Sequence, residues 1–144
     1  VDTTPKIIAR GILDIHRSLA VCHHKAKGAF VHLEQELARD HKAGIFQARF
    51  EPFESFRSPY RQEHLLASKT TKAGAWQSAH QYGLAVDFVP RMNGRWTWLM
   101  SDLGDYDMIN FRRCVGNAGL YTPIEWDPFH VEHPLWFELK QWVV

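Results

Sequence analysis

The run Leu84-Ala85-Val86-Asp87-Phe88-Val89 is apolar but for one carboxylate. It reads as a strand buried on at least one face. An unpaired charge buried there is costly, so whatever fold forms must bring Asp87 a partner or a metal. Seven positions upstream, in Ser78-Ala79-His80-Gln81-Tyr82-Gly83, stands His80. That gap is too wide for one helical turn and does not fit one straight strand. A turn at Gly83 folds the two side chains back toward each other. An imidazole and a carboxylate so placed are standard zinc ligands. Each residue alone reads equally well as a salt-bridged Asp or a satisfied core His.

Near the C-terminus, Trp126-Asp127-Pro128-Phe129-His130 supplies a second histidine with a carboxylate three residues before it. On an extended segment His130 shares a face with Pro128 and Glu132. Pro128 cannot donate to a strand ladder, so a kink is expected there. It lets His130 reach a metal and Asp127 a water, although Asp127-Pro128 also reads as a plain turn. Three protein ligands and a carboxylate to accept a proton are the parts of a catalytic zinc site. Glu125 is an alternative base, but the three-residue offset to His130 favours Asp127. Strand alternation points His133 away from His130, toward the surface.

The rest of the chain divides by period. Pro5 to about Cys22 has Ile7, Ile8, Ile12, Ile15, Leu19 and Val21 near helical spacing, with Thr4 as cap. Ala29 to His41 repeats the pattern through Phe30, Leu33 and Leu37. The histidines of these two segments sit among Lys, Arg and Glu and read as solvated. Ile45 to Phe56 alternates as a strand, and Pro59 opens a short helix. Residues 69–77 are a loop. Asn93-Gly94 marks a hairpin. Tyr106 to Ala118 is helical, Tyr121 to Glu132 a final strand region, and Pro134 to Trp142 a short aromatic helix. The expected fold is α+β, one domain over 1–144 with a central antiparallel sheet flanked by helices and the zinc site on the sheet. Within it, 1–44 is an N-terminal helical part and 45–144 the catalytic core.

With 144 residues and a net charge of +1, bulk electrostatics do not favour nucleic acid. No apolar run reaches membrane-spanning length and no signal peptide is visible, so no membrane insertion is expected. Cys22 and Cys114 lie in no Cys-x-x-Cys pair and read as buried free thiols.

Ser-x-His-x-x-Gly-x-Ala-x-Asp followed by acidic-x-x-His resembles the zinc peptidoglycan peptidases. These are the VanY-type D-Ala-D-Ala carboxypeptidases and the L-alanyl-D-glutamate endopeptidases found as phage and prophage endolysins. Phe56-Arg57-Ser58-Pro59-Tyr60-Arg61-Gln62 resembles the Tyr-Arg-Ser segment that precedes the His in that family. The likeness runs from about Phe46 to Glu132. It implies one zinc ion held by His80, Asp87 and His130, with Asp127 as the catalytic carboxylate. It also implies Arg57 at the substrate carbonyl or carboxylate, and Ser78 orienting substrate or a ligand. Tyr82 and Trp126, with Trp76 and Trp96, are candidates to line a groove for glycan or stem peptide.

Asp rather than Glu at position 127, followed by His130-Val131-Glu132, is more similar to the endopeptidases. The expected activity is therefore cleavage of L-Ala-D-Glu in the peptidoglycan stem peptide. The alternatives are a D-Ala-D-Ala carboxypeptidase or dipeptidase, and a binding domain like the hedgehog signalling domains, whose zinc site is similar. A monomer held in the cytoplasm until released to act on the cell wall fits the endolysin likeness.

Overall fold

The computed structural model describes residues 14–71, 73–74 and 76–143. Strand β2 (Ala85–Met92) is its axis, with Ala85 through Pro90 all buried. Strand β1 (Arg49–Glu54) runs antiparallel along it, from Arg49 opposite Arg91 to Glu54 opposite Asp87. The register shifts between Pro52 and Glu54, which leaves Phe53 as the extra residue of a bulge. The Asn93-Gly94 turn leads into β3 (Arg95–Trp96). Both turn residues have positive φ, 52° and 76°, as a two-residue hairpin demands. Strand β4 (His130–Glu132) pairs with the start of β2, placing His130 opposite Asp87. The sheet is wholly antiparallel and the class is α+β, as the sequence implies.

Helices cover the sheet. Helix α1 (Lys27–Lys42) buries Phe30, Leu33 and Leu37, spaced to share one face. Helix α2 (Pro59–Ala67) starts where Ser58 accepts from Arg61 N at 3.1 Å, with Pro59 in its first turn. Helix α3 (Asp105–Asn117) buries Met108, Phe111, Cys114 and Val115. Its Asp107 carboxylate accepts from Gln47 N at 3.2 Å and Ala48 N at 3.0 Å, which holds the approach to β1. Phe50 of β1 stacks on Phe111 at 4.6 Å, and Phe129 lies 6.2 Å from Phe50. Helix α4 (Leu135–Leu139) ends in a 3-10 turn, Lys140–Trp142. One hydrophobic core takes residues from Leu19 to Trp136.

Two expectations need correction. The helix expected from Pro5 to Cys22 lies partly outside the described residues. Its remainder, residues 14–22, is irregular apart from a 3-10 turn, Leu19–Val21. Here the carbonyls of His16 and Ser18 accept from Ser55 instead of from the segment's own amides. Tertiary hydrogen bonds have replaced helical ones. The strand region expected from Tyr121 to Glu132 is mostly turn. Only Tyr121, bridged to Glu132, and β4 are extended-paired. Pro123 and Pro128 interrupt any ladder, and Asp127 N donates to Ile124 O at 3.1 Å to close a turn between them.

Cys22 and Cys114 are free and buried. Burial pushes the Cys22 thiol up to about 11, with Lys27 opposing. Burial, then the neighbouring Glu36, pushes Cys114 up to about 12. Thiolate is the reactive form. Neither thiol is therefore expected to react with a chromogenic disulfide reagent at neutral pH in the native protein. In denaturant, both should react. A native titration consuming one equivalent or more would contradict this.

Candidate metal centre

The approach to His80 is built locally. Ser78 caps the 3-10 turn Ala79–Tyr82: its Oγ accepts from His80 N at 3.3 Å, and Gln81 Oε1 accepts from Ser78 N at 3.0 Å. Gly83 ends the turn in the left-handed region, φ 68°. The chain then enters β2, where Asp87 lies between Glu54 on one neighbouring strand and His130 on the other. Directly opposed residues share a face, so these three side chains form a row across the sheet. His130 arrives by a tight turn in which its N–H donates to Asp127 O at 3.2 Å. That turn swings Asp127 and His130 to the same side.

The ligand atoms meet at Asp87. His80 Nε2 lies 3.2 Å and His130 Nδ1 3.1 Å from Asp87 Oδ1. One ligand atom from each of His80, Asp87 and His130 falls within 4.8 Å of the others, and all three residues are buried. The far side of each imidazole is also occupied. His80 Nδ1 donates to the Ser55 carbonyl at 2.8 Å. His130 Nε2 donates to Glu132 Oε2 at 2.6 Å, and Tyr121 OH donates to Glu132 Oε1 at 3.1 Å. The Ser55 carbonyl and the Glu132 carboxylate each hold a proton on the far ring nitrogen. His80 Nε2 and His130 Nδ1, which face Asp87, are therefore the nitrogens that would turn a lone pair to a metal on giving up their protons. This donor set suits zinc: two imidazoles of fixed tautomer and one carboxylate, with no fourth protein ligand in the group. His133 stands apart, its Nδ1 accepting from Leu135 N at 3.0 Å.

The electrostatics follow. Burial opposes ionisation of Asp87, but the charges and hydrogen bonds of His80 and His130 prevail and hold its carboxyl below the usual range. Burial likewise opposes the charged imidazole of His130, and Asp87 and Glu132 outweigh it, lifting that group above its ordinary value. Arg57 braces the same carboxylate. Its Nη2 donates to Glu54 Oε1 at 2.9 Å and to Asp87 Oδ2 at 3.4 Å, and its Nη1 to Gln62 Oε1 at 2.9 Å. Arg57 Nε is buried and has no hydrogen-bond partner among the described residues. Arg61 also grips Glu54, and with Arg57 it outweighs burial to hold that carboxyl low.

The ligand row lies in a cleft of about 480 Å³, with Phe53, Trp98, Trp126 and Trp136 on its walls. Ser78, Arg57 and Asp127 line it too. Burial, then the charge of Asp87, raises the Asp127 carboxyl above its ordinary value, while His130, His80 and Arg57 pull it back. Trp126 is 62% exposed. Tyr82 is not among the lining residues. Its ring packs 5.2 Å from Trp136 and its hydroxyl donates to Trp76 O at 2.9 Å. Trp96 lies against Phe53 and Arg91 instead, outside the cleft. Glu125 is exposed and does not line the cleft.

Sequence reasoning misses Ser55, whose partners His16 and His80 are remote in the chain, and also Glu54 and Tyr121, which reach the centre through Arg57 and Glu132. Glu132 was within reach, since strand alternation puts it beside His130. Carboxylates behind a metal-binding histidine raise its basicity and fix its ring. Glu132→Gln is therefore expected to weaken zinc binding about 10–100-fold, measured against a chromogenic chelator. Unchanged affinity would remove Glu132 from the centre.

A second group, Glu36, Asp40 and Cys114, also converges. Its carboxylates are taken: Arg113 donates to Asp40 at 3.1 Å and Asn117 to Glu36 at 3.1 Å. Its thiol donates to Asp40 Oδ2 at 3.6 Å, so the group is a buried ionic network joining α1 to α3.

No family model matches the chain, and no curated protein does. Among solved structures, the crystal structure of Serratia marcescens L-Ala D-Glu endopeptidase ChiX matches with a TM-score of 0.57. The match covers 88% of this chain and 92% of that chain at 19% sequence identity. This chain has the fold of that endopeptidase.

Proposed function

We propose that this chain is a zinc-dependent peptidoglycan hydrolase that cleaves a stem-peptide amide, the bond between L-Ala and D-Glu. The observation that carries the reading is the convergence of His80 Nε2, Asp87 and His130 Nδ1 at the floor of a cleft that Asp127 also lines. The fold shared with an L-Ala D-Glu endopeptidase supports the same choice of substrate.

Zinc held by His80, Asp87 and His130 supplies Lewis acidity toward a carbonyl oxygen and eases deprotonation of water. Asp127 takes the proton from the attacking water and returns it to the leaving amine. Its raised carboxyl suits both halves of that transfer. Arg57 holds the Asp87 carboxylate in place through its 3.4 Å contact. Arg57 also lines the cleft, and its guanidinium is assigned to the oxygen that becomes negative in the transition state. Ser78 fixes the turn that carries His80. Trp126 and the other cleft aromatics offer flat apolar surface to the peptide or its glycan.

Mass spectrometry of the products from purified peptidoglycan tests the reading, run with a chelator and again with zinc restored. New stem peptides beginning at D-Glu, lost with chelator and regained with zinc, are expected. Release of D-Ala instead would move the activity to the carboxypeptidase branch. A folded, zinc-loaded sample that cuts nothing would overturn the enzymatic reading.

A further inference from the structure

Residues 14–23 cross the protein with no regular element beyond the turn Leu19–Val21. Their backbone goes to two anchors. The His16 carbonyl accepts from Ser55 N at 2.7 Å and from Ser55 Oγ at 3.0 Å, and the Ser18 carbonyl accepts from Ser55 Oγ at 2.8 Å. His23 N donates to the Gly83 carbonyl at 2.9 Å. Arg17 fastens the outer side: its Nε donates to Phe53 O at 3.1 Å, and its guanidinium sits 4.9 Å from the Phe53 ring. Both anchors adjoin His80. Gly83 ends the turn that carries it, and the Ser55 carbonyl takes the proton of His80 Nδ1. Ser55 is fully buried at 0% exposure, with its N–H and hydroxyl spent on the segment and its carbonyl on His80.

We propose that residues 14–23 form a strap that positions His80 for metal, and that Ser55 is the positioning residue through which the strap acts. The inference rests on the metal-centre reading above. A carbonyl fixes an imidazole only as firmly as its own peptide is held. Here the strap holds Ser55 from one side while His80 hangs from the other. Freeing the Ser55 hydroxyl lets the carbonyl tilt and the His80 ring turn with it. The loss then falls on metal affinity, beyond any loss of general stability.

The test measures zinc affinity of the full chain by competition with a chromogenic chelator, together with the visible spectrum of the cobalt-loaded protein. It compares wild type, Ser55→Ala, Arg17→Ala, His80→Ala and the core control Leu37→Ala, all well below their melting temperatures. Ser55→Ala is expected to weaken zinc binding about tenfold and to shift the cobalt bands. Arg17→Ala, at an exposed position, should change both in the same direction by less. Leu37→Ala should lower the melting temperature and leave zinc affinity alone.

Wild-type affinity and spectra in both strap variants would overturn the proposal while leaving the metal centre standing. An equal loss of affinity in Leu37→Ala would overturn it too, by reducing the effect to general stability. If Ser55→Ala does not fold, Arg17→Ala decides alone. A wild type that binds no zinc, or a His80→Ala variant that binds it equally well, would instead remove the metal-centre reading and the strap proposal with it.

Discussion

Asp127→Ala is expected to lower kcat/KM on peptidoglycan by roughly 10²–10⁴-fold while the protein still takes up one zinc ion per chain. The separation of the two effects follows from how the residue is built in. Asp127 is not in the ligand group of His80, Asp87 and His130. Its structural service to His130 comes from the backbone, whose carbonyl accepts the His130 amide at 3.2 Å. Alanine keeps that bond, so the turn and the ligand row survive. What disappears is a carboxylate lifted above its ordinary value by burial and by Asp87. Asp127→Asn should behave alike, since an amide cannot relay the proton. Zinc content by atomic emission and turnover on isolated walls check the pair. Near-normal turnover with zinc bound would return the base to another residue.

Gly83→Ala is expected to be the most damaging single methyl in the described structure. Gly83 has φ 68°, a region that costs a residue with Cβ about 1–2 kcal/mol. The added carbon would also lie 2.5 Å from His23 N and 3.0 Å from Cys22 C. Those are backbone atoms of the strap, which cannot swing aside as a side-chain tip can. The total is about 2–4 kcal/mol, or roughly 6–15 °C in melting temperature. Relief of the clash means lifting the strap or bending the His80 turn, so zinc affinity should fall with stability. Gly116→Ala is the contrast. It lies within α3, a methyl there would meet nothing within 4 Å, and its φ is ordinary, so a small gain of about 0.5–1 kcal/mol is expected. Thermal melts of the two variants, side by side, measure the difference.

What was legible in the sequence was local. Phe30, Leu33 and Leu37 announce α1 by their spacing, Asn93-Gly94 announces its hairpin, and the apolar run around Asp87 announces a buried strand needing a partner. The convergence of His80, Asp87 and His130 was legible through the resemblance. Its geometry was not, because His130 reaches Asp87 only through a strand pairing across 43 positions. The strap shows the limit most clearly. Ile15, Leu19 and Val21 carry a helical period, yet the carbonyls beside them are claimed by Ser55, and no periodicity encodes that competition. Tyr82 and Trp96 show the same gap on the surface. Aromatic identity suggests a groove, but which rings face the cleft depends on the packing of Trp136 and Phe53 against them.

Strand β4 pairs with β2 at only three positions, and one of them carries His130. So short a seam is a natural place for local opening, the kind that amide hydrogen exchange detects long before global unfolding. An ion shared by His80, Asp87 and His130 would tie that seam across the sheet, and opening it would mean giving up the ion. Zinc at 100 times its dissociation constant adds about 2.7 kcal/mol to any opening that releases it. The exchange rates of the amides in β4 thus become a gauge of metal occupancy that needs neither substrate nor turnover.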